Sequence, residues 1–200
     1  MEPWSLLRTE KNKMKSYLGR WAMFAAGLSL AVIAMPHRAV AQETDYDLEK
    51  KKLEVAQAIE GLVADDAGLQ RFFADSYGYA VFPSVGKGGF VVGGAHGTGL
   101  VYEGGNLTGQ STLKQIDVGL QLGGQSFIQV MFFQGKEDMD RFKADKIEFS
   151  GQASAVAITA GASADIDYAK GVAVVSKAKG GLMYEATLGG QTFEYKPIGY

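Results

Sequence analysis

Few residues in this sequence have the type and spacing that catalysis requires. Its 200 residues include no cysteine, and of the two histidines only His96 lies in the part that we expect to fold. One chain therefore cannot form a zinc site from histidine and cysteine, and cysteine nucleophiles are excluded. Ser126 comes closest to a serine nucleophile, but its surroundings, GGQSF, lack the second glycine of a G-x-S-x-G turn. We therefore predict that the protein is not an enzyme.

The glycine-rich stretches are the candidates for phosphate-binding loops. Residues 104–111 have the spacing of such a loop, but Gln110 stands where a lysine would neutralise phosphate charge. Residues 86–99 contain no intact G-x-G-x-x-G. We therefore expect no nucleotide, metal or other cofactor. We interpret the glycines as positions where strands turn tightly or pack closely.

Two related lysine-glycine segments are candidates for binding an anion. SVGKGGF at 84–90 and SKAKGGL at 176–182 share four identical positions at a constant offset of 92 residues. We interpret them as a duplicated β-hairpin, in which a lysine stands beside free backbone N–H groups and so borders an anion-binding concavity. The alternative is a solvated turn. The candidate lipid-binding residues of these segments are Lys87, Gly88, Gly89, Phe90, Lys179, Gly180 and Gly181.

An amphipathic helix is the second candidate surface. The pattern predicts a helix from Asp47 to about residue 64, with Thr44 and Asp47 as a capping box and residues 42–47 before it loose. Lys51 and Lys52 flank its apolar stripe, so their stems could lie on acyl chains while their ammonium groups reach headgroup phosphates. The alternative is that the stripe packs on the rest of the domain. The stripe consists of Leu48, Val55, Ile59 and Leu62.

The first 41 residues have the three-part pattern of a secretory signal peptide. A basic stretch at 11–20 precedes an apolar run at 21–35, and Ala39-Val40-Ala41 offers small residues for cleavage before Gln42. The alternative, a transmembrane anchor, needs about 20 apolar residues, more than this run contains. We therefore expect an exported protein, periplasmic or secreted. Either Met1 or Met14 can be the start of translation.

The charge of the remaining part limits its partners. Residues 42–200 carry 14 basic and 20 acidic side chains, a net charge of −6. Nucleic acid is therefore excluded as a partner, because no basic field is available to hold it. The absence of cysteine means that no disulfide and no acylated cysteine can stabilise or anchor the chain. We expect one domain with a packed core, soluble unless its folded surface binds a membrane.

The order of predicted elements gives the fold class. A second helix, capped by Asp65 or Asp66, carries Leu69, Phe72 and Phe73 on its apolar face. The predicted strands cover residues 79–82, 89–95, 99–102, 116–122 and 127–133, followed by a short helix within 135–145 and further strands from 147. In the strand at 116–122 the alternation puts Ile116 and Val118 on the buried face. We predict an α+β fold, in which an N-terminal helical pair packs on a mostly antiparallel, glycine-rich β-sheet or barrel-like sandwich with one short helix inserted.

Four blocks of the sequence, in order, resemble the SYLF family. They are YAVFPSV, KGGFVVGG and GTG within 79–99, DVGLQLGGQS at 117–126, KEDMDRF at 136–142, and GGL to LGG within 180–190. Together they span nearly all of residues 42–200, which would form a single SYLF-like domain. The family is known for lipid binding: eukaryotic relatives bind phosphoinositides, and some fungal relatives also bind actin filaments. Bacterial members are typically exported and carry this domain alone.

The resemblance implies a function as well as a fold. It implies a non-catalytic module that binds phospholipid or phosphoinositide-type headgroups at a membrane surface of the bacterial cell envelope. It does not imply actin binding, because an exported bacterial protein would not meet actin, and it gives no catalytic residue to transfer. The alternative is a structural or protein-interaction module of the periplasm, acting in envelope assembly or stress.

Overall fold

A computed structural model describes residues 36–89, 92–118, 125–147, 149, 154–180 and 186–199 of the chain. The chain divides into two units, Met1–Leu48 and Glu49–Tyr200, and in the first only the beginning of one helix is described. The elements in order are α1 (Pro36–Asp65), α2 (Leu69–Asp75), β1 (Gly78–Gly89), β2 (Val92–Glu103), β3 (Asn106–Val118), β4 (Gln125–Phe133), α3 (Lys136–Lys143), β5 (Ser154–Ala157), a 3-10 helix (Ala162–Asp165), β6 (Val172–Ala178), β7 (Ala186–Thr187) and β8 (Gln191–Pro197). The predicted α+β class, with two helices before a mostly antiparallel sheet and a short helix inserted, is confirmed.

Helix α1 is longer than the sequence pattern predicted. It begins at Pro36 rather than at Asp47. Proline is favoured in the first turn of a helix, because its ring fixes φ and its missing N–H would have no partner there. The prediction that residues 42–47 are loose and that Thr44 begins a capping box is therefore wrong. The expected cleavage point before Gln42 lies within α1.

The two helices are joined by a turn that Asp66 organises. Helix α2 begins at Leu69, and its N-cap is Gly68, so neither Asp65 nor Asp66 caps it as predicted. The Oδ1 atom of Asp66 instead accepts a hydrogen bond from the Gly68 N–H at 2.9 Å. The same carboxylate accepts hydrogen bonds from the N–H and the hydroxyl of Ser163, at 2.6 and 2.8 Å. The turn is thus tied to the 3-10 helix.

The described strands form one eight-stranded sheet in the order β7-β5-β6-β4-β1-β2-β3-β8. Neighbouring strands are antiparallel except for β5 and β6, which are parallel. Strands β1 and β2 continue through glycines at which the sequence predicted breaks, because close backbone approach requires glycine there. A Cβ atom on Gly97, for example, would lie 2.9 Å from the Ser84 carbonyl oxygen. Pro83 lies where the pairing of β1 shifts register, so its missing N–H disturbs no regular ladder.

The duplicated hairpin predicted from the sequence echo is wrong. Residues 84–89 belong to strand β1, and its Gly88 and Gly89 pair with Gly94 and Gly93 of β2. The corresponding strand of the second copy, β6, pairs with β4 and β5, whereas the next strand, β7, pairs with β5. The two segments share a sequence pattern but differ in their strand pairing.

Strand β3 faces the opposite way from the prediction. Its Ile116 side chain is 74 % exposed, whereas Leu113 and Gln115 are buried. Because successive side chains of a strand point to opposite faces, an assignment that is wrong by one residue reverses both faces. Leu120 and Leu122, which the prediction placed on the same buried face, lie outside the described residues.

The sheet curls around the larger part of the core. Its inner face carries Phe82, Met131 and Phe193, over which Met139 and Phe142 of α3 pack. The curvature is strong enough that Gln191 of β8 and Gln129 of β4 form hydrogen bonds, although three strands separate them in the sheet. This inner face is therefore almost closed on itself.

The outer face of the sheet is covered at one end by α2. Phe72 and Phe73 of this helix pack on Phe132 of β4, with ring centroids 5.5 and 4.9 Å apart. Phe73 also meets Tyr79 of β1 edge to face at 5.2 Å, and Tyr79 stacks on Tyr102 at 5.0 Å. Such aromatic pairs each contribute about 0.5–1.5 kcal/mol beyond the area they bury.

Candidate functional site

The two lysine-glycine segments lie at the same end of the sheet. The Lys179 N–H donates to the Ser126 carbonyl oxygen at 2.8 Å, and Ser126 pairs with Gly86. Since neighbouring strands lie about 4.8 Å apart, the backbones of Gly86 and Lys179 are separated by roughly 10 Å. The members of this surface, which we call the glycine end, are Gly86, Gly88 and Gly89 of β1, Gly93 and Gly94 of β2, and Lys179 and Gly180 after β6.

The lysines of the two segments do not lie on the same face of the sheet. Lys87 pairs with Ala95 and alternates with Val85, both of which belong to the inner core, so its side chain is directed to the inner face. Lys177 of β6 is directed to the outer face, where it bonds α1, and Lys179 lies near Glu54 of that helix. The structure therefore does not bring Lys87 and Lys179 together around one anion.

The predicted anion-binding turns differ from expectation in their backbone as well. Gly88 and Gly89 lie in β1 and pair with β2, rather than forming a turn. Gly180 has a φ of +87°, and a Cβ atom on it would meet nothing within 4 Å, so this position is open. Phe90 and Gly181 lie outside the described residues.

Lysines lie along the contact between α1 and β6. Lys51 of α1 forms an ion pair with Glu54, with 2.7 Å between Nζ and Oε2. Lys177 of β6 donates to the Gly61 carbonyl oxygen at 3.4 Å and forms an ion pair with Asp65 at the end of the helix. We call Lys51, Lys177 and Lys179 the lysine seam.

Glu54 is the carboxylate that pairs with Lys51 of the lysine seam. Its pKa is lowered, first by the hydrogen bond from Lys51 and then by the positive charges of Lys51, Lys50 and Lys179. The carboxylate therefore remains ionised and competes with any external anion for these ammonium groups. Lys52, the other candidate on α1, points to Glu49 at 2.6 Å and takes no part in the seam.

The apolar stripe of α1 is not free to enter a membrane. Val55 and Leu62 are completely buried, and Ile59 and Leu48 are half-buried. The stripe therefore packs within the protein, which was the alternative weighed from the sequence. The candidate residues of α1 that remain are the lysines on the borders of this stripe, Lys51 and Lys52.

A buried cluster of three glutamines was missed by the sequence analysis. Gln129 donates to Gln191 Oε1 at 2.9 Å, and the Gln191 amide donates to Gln129 and to Gln115, both at 3.1 Å. Gln115 in turn donates to the Gly189 carbonyl oxygen at 3.2 Å. One signal was present, since Gln129 interrupts the apolar run of the buried strand at 127–133. Gln115 was missed because the buried face of β3 was assigned incorrectly, and Gln191 was missed because the curl of the sheet was not predicted.

His96 is an exposed residue of strand β2. It pairs with Gly86 on one side and Lys114 on the other. Among the described residues, no group of three or more histidine and carboxylate side chains could hold a metal ion. In the same part of the chain, no helix combines the length and the apolar character needed to cross a membrane. The chain matches no known family model, and none of the curated proteins matches it.

Proposed function

We propose that this protein binds anionic phospholipid at a membrane surface of the bacterial cell envelope, without catalysing a reaction. The observation that carries the proposal is the lysine seam: Lys51, Lys177 and Lys179 lie along the contact between α1 and β6 in a chain whose residues 42–200 have a net charge of −6. The resemblance to the SYLF family supports the same function.

The physical mechanism is exchange of one oxyanion for another. Phosphate oxygens of headgroups would replace the Glu54 carboxylate beside Lys51, within the electrostatic reach of Lys179. Each exposed ion pair is worth about 1 kcal/mol or less, so a single headgroup would be held weakly. A bilayer offers many headgroups, and its negative surface potential adds about 1 kcal/mol per lysine close to it. We therefore expect binding to membranes rather than to isolated headgroups.

Co-sedimentation with vesicles tests this function. The purified protein should sediment with phosphatidylcholine vesicles that contain phosphatidylglycerol, but not with phosphatidylcholine alone. High salt should reverse this binding, because exposed charges are screened. The double substitution Lys51→Ala, Lys179→Ala should weaken binding several-fold. It leaves Lys177, which ties α1 to the sheet, in place.

A matched control removes the same charge elsewhere. Lys136 and Lys196 are 69 % and 75 % exposed and lie outside the seam. Lys136→Ala, Lys196→Ala should bind like the wild type if the seam matters, and as weakly as the seam variant if only total charge matters. A protein that ignores all vesicles and captures one protein partner would favour the alternative, an interaction module.

The proposed location in the envelope has its own test. Intact-mass measurement of the protein from a periplasmic extract should give a chain that begins at Gln42. Protein that keeps residues 21–35 and stays in the membrane fraction would contradict export and cleavage.

A further inference from the structure

The outer face of β1–β3 at the glycine end is bare as far as the described residues extend. Gly86 and Gly88 of β1 are exposed. A Cβ atom on Gly88 would meet nothing within 4 Å, and one on Gly86 would meet only the His96 carbonyl oxygen, at 4.0 Å. The packing of α2 covers the opposite end of this face, at Tyr79 and Phe132. A strip of exposed backbone thus lies open to an external partner.

Two rows of side chains cross this strip. In one row, Gly88 pairs with Gly94, which pairs with Ile116. Paired residues of antiparallel strands point to the same face, so Ile116 stands on the outer face beside the glycines. Its side chain is 74 % exposed, the largest fraction among the exposed large apolar residues described.

The other row is basic. Lys114 pairs with His96, His96 with Gly86, and Gly86 with Ser126, whose carbonyl oxygen accepts the Lys179 N–H. This basic row crosses four strand spacings, roughly 19 Å. Lys114 shares the outer face with Glu194, to which it forms an ion pair at 3.2 Å; both side chains are more than half exposed.

The two rows are offset by two residues along each strand, about 6.7 Å. Residues that anchor a protein in a bilayer interface reach about 5–10 Å into the boundary between headgroups and acyl chains. With Ile116 at that depth, the Lys114 ammonium on the same face can still reach the phosphates, because its flexible stem extends along the surface. The outer face therefore offers an apolar side chain to the acyl boundary and lysine ammonium groups to the phosphates.

We propose that the glycine end docks on an anionic bilayer through this outer face, with Ile116 inserted and the basic row at the phosphates. The inference rests on the proposed function and assigns it a surface. The charge of the row favours a bilayer over a second copy of this chain. A symmetric pair would place Lys114 and Lys179 opposite basic groups of the same row, and like charges repel.

The decisive experiment measures vesicle binding of Ile116→Ser against Tyr77→Ser. Tyr77 is also an exposed apolar residue, but its N–H bonds the Phe133 carbonyl oxygen at the opposite end of the sheet. Ile116→Ser should weaken binding to mixed phosphatidylcholine and phosphatidylglycerol vesicles about tenfold, because it removes the transfer of one aliphatic side chain from water. Tyr77→Ser should bind like the wild type. Salt screens charges but not apolar contacts, so the ratio of wild-type to Ile116→Ser affinity should persist at the highest salt at which binding is measurable.

A variant that should keep or increase vesicle binding tests whether the loss in Ile116→Ser is specific. Ile116→Trp should bind at least as tightly as the wild type, because tryptophan favours the membrane interface. The tryptophans of this sequence, Trp4 and Trp21, precede Gln42, so the cleaved Ile116→Trp variant would contain a single tryptophan. Its fluorescence should shift to the blue when vesicles are added. Equal binding by the wild type and Ile116→Ser, or equal losses in Ile116→Ser and Tyr77→Ser, would overturn this surface and leave lipid binding intact. Failure of the wild type to bind any vesicle would overturn both.

Discussion

Glu54 sets how much of the lysine seam is available to a ligand. Its carboxylate lies 2.7 Å from the Lys51 ammonium, and its lowered pKa, due first to that hydrogen bond, keeps the carboxylate charged. We predict that Glu54→Gln raises affinity for anionic vesicles several-fold at low salt, because the amide keeps the shape of the side chain and releases the lysines. Glu60→Gln is the control, an equal change of charge at an exposed position of the same helix. Equal gains in both variants would mean that net charge alone acts.

Asp66 gives a prediction about pH. Its pKa is lowered by hydrogen bonds from the N–H and the hydroxyl of Ser163, then by those from Gly68 and the charge of Arg71. A carboxylate whose pKa is lowered in the folded state stabilises the fold at pH values above its ordinary pKa of 3.8. This stabilisation is lost as the pH falls through the folded-state pKa. Asp66→Asn should therefore melt below the wild type at neutral pH, and the gap should narrow in acid.

The control for this prediction lies in the 3-10 helix that Asp66 binds. Asp165 is exposed there and can be changed to asparagine with the same loss of charge. Asp165→Asn should melt like the wild type throughout the pH range. A gap between Asp66→Asn and the wild type that stays constant into acid would show that the carboxylate charge is not the cause.

At the scale of elements, the sequence predicted which segments form structure better than where they end or which way they face. The helical pair, the strand at 127–133 and the short helix with Met139 and Phe142 follow from apolar periodicity and were found. The start of α1 was missed because no residue between Pro36 and Asp47 stops a helix. The face of β3 was missed because alternation shows that two faces differ, not which one is inside. Gln115 can be buried because its side chain forms hydrogen bonds with Gln191 and with the Gly189 carbonyl oxygen.

Strand β8 is an edge strand whose exposed side is blocked. The Phe193 N–H donates to Asp145 Oδ1 at 2.7 Å instead of to a strand, and Pro197 at the end has no N–H. Asp145 itself has a φ of +53°, a conformation that aspartate and asparagine tolerate better than most residues. The side chain therefore protects the edge and suits the turn after α3.

We predict that Asp145→Ala lowers the free energy of unfolding by about 1–3 kcal/mol, because the Phe193 N–H loses its acceptor. The open edge should also increase self-association, which light scattering would detect. Asp145→Asn keeps an acceptor oxygen and tolerates the positive φ, so it should stay close to the wild type in chemical denaturation. A destabilisation of Asp145→Asn equal to that of Asp145→Ala would assign the effect to charge rather than to the hydrogen bond.

Across the whole molecule, the candidate site was predictable in its residue types but not in its assembly. The sequence singled out Lys51 and Lys179, and the structure places both near Glu54. It also paired Lys87 with Lys179, and the structure separates their side chains onto two faces. The difference arises because a shared motif does not fix strand pairing. The first segment lies in β1, which forms a hairpin with β2, whereas the second begins in β6, which pairs with β4 and β5.

Three buried glutamines bridge the curled sheet. Gln115, Gln129 and Gln191 join β3, β4 and β8 through hydrogen bonds between their amides, and Gln115 also donates to the Gly189 carbonyl oxygen. Leaving one buried polar group without a partner costs about 1–3 kcal/mol, whereas replacing both partners by apolar groups of similar shape is far less costly. The cluster should therefore behave as a unit in which single changes are worse than paired ones.

We predict that Gln191→Leu and Gln129→Leu each destabilise the protein by about 2 kcal/mol or more, since each removes hydrogen bonds from an amide that stays in the core. The double variant should be clearly more stable than the sum of the two losses implies, with a coupling of at least about 1 kcal/mol in a double-mutant cycle by chemical denaturation. Ser176→Ala is the control: Ser176 is the cross-strand partner of Gln129, and its buried hydroxyl has no hydrogen-bond partner among the described residues, so its removal should cost little. Strictly additive losses for the two glutamines would show that their amides do not depend on each other, and that the curl of the sheet is held by its apolar core alone.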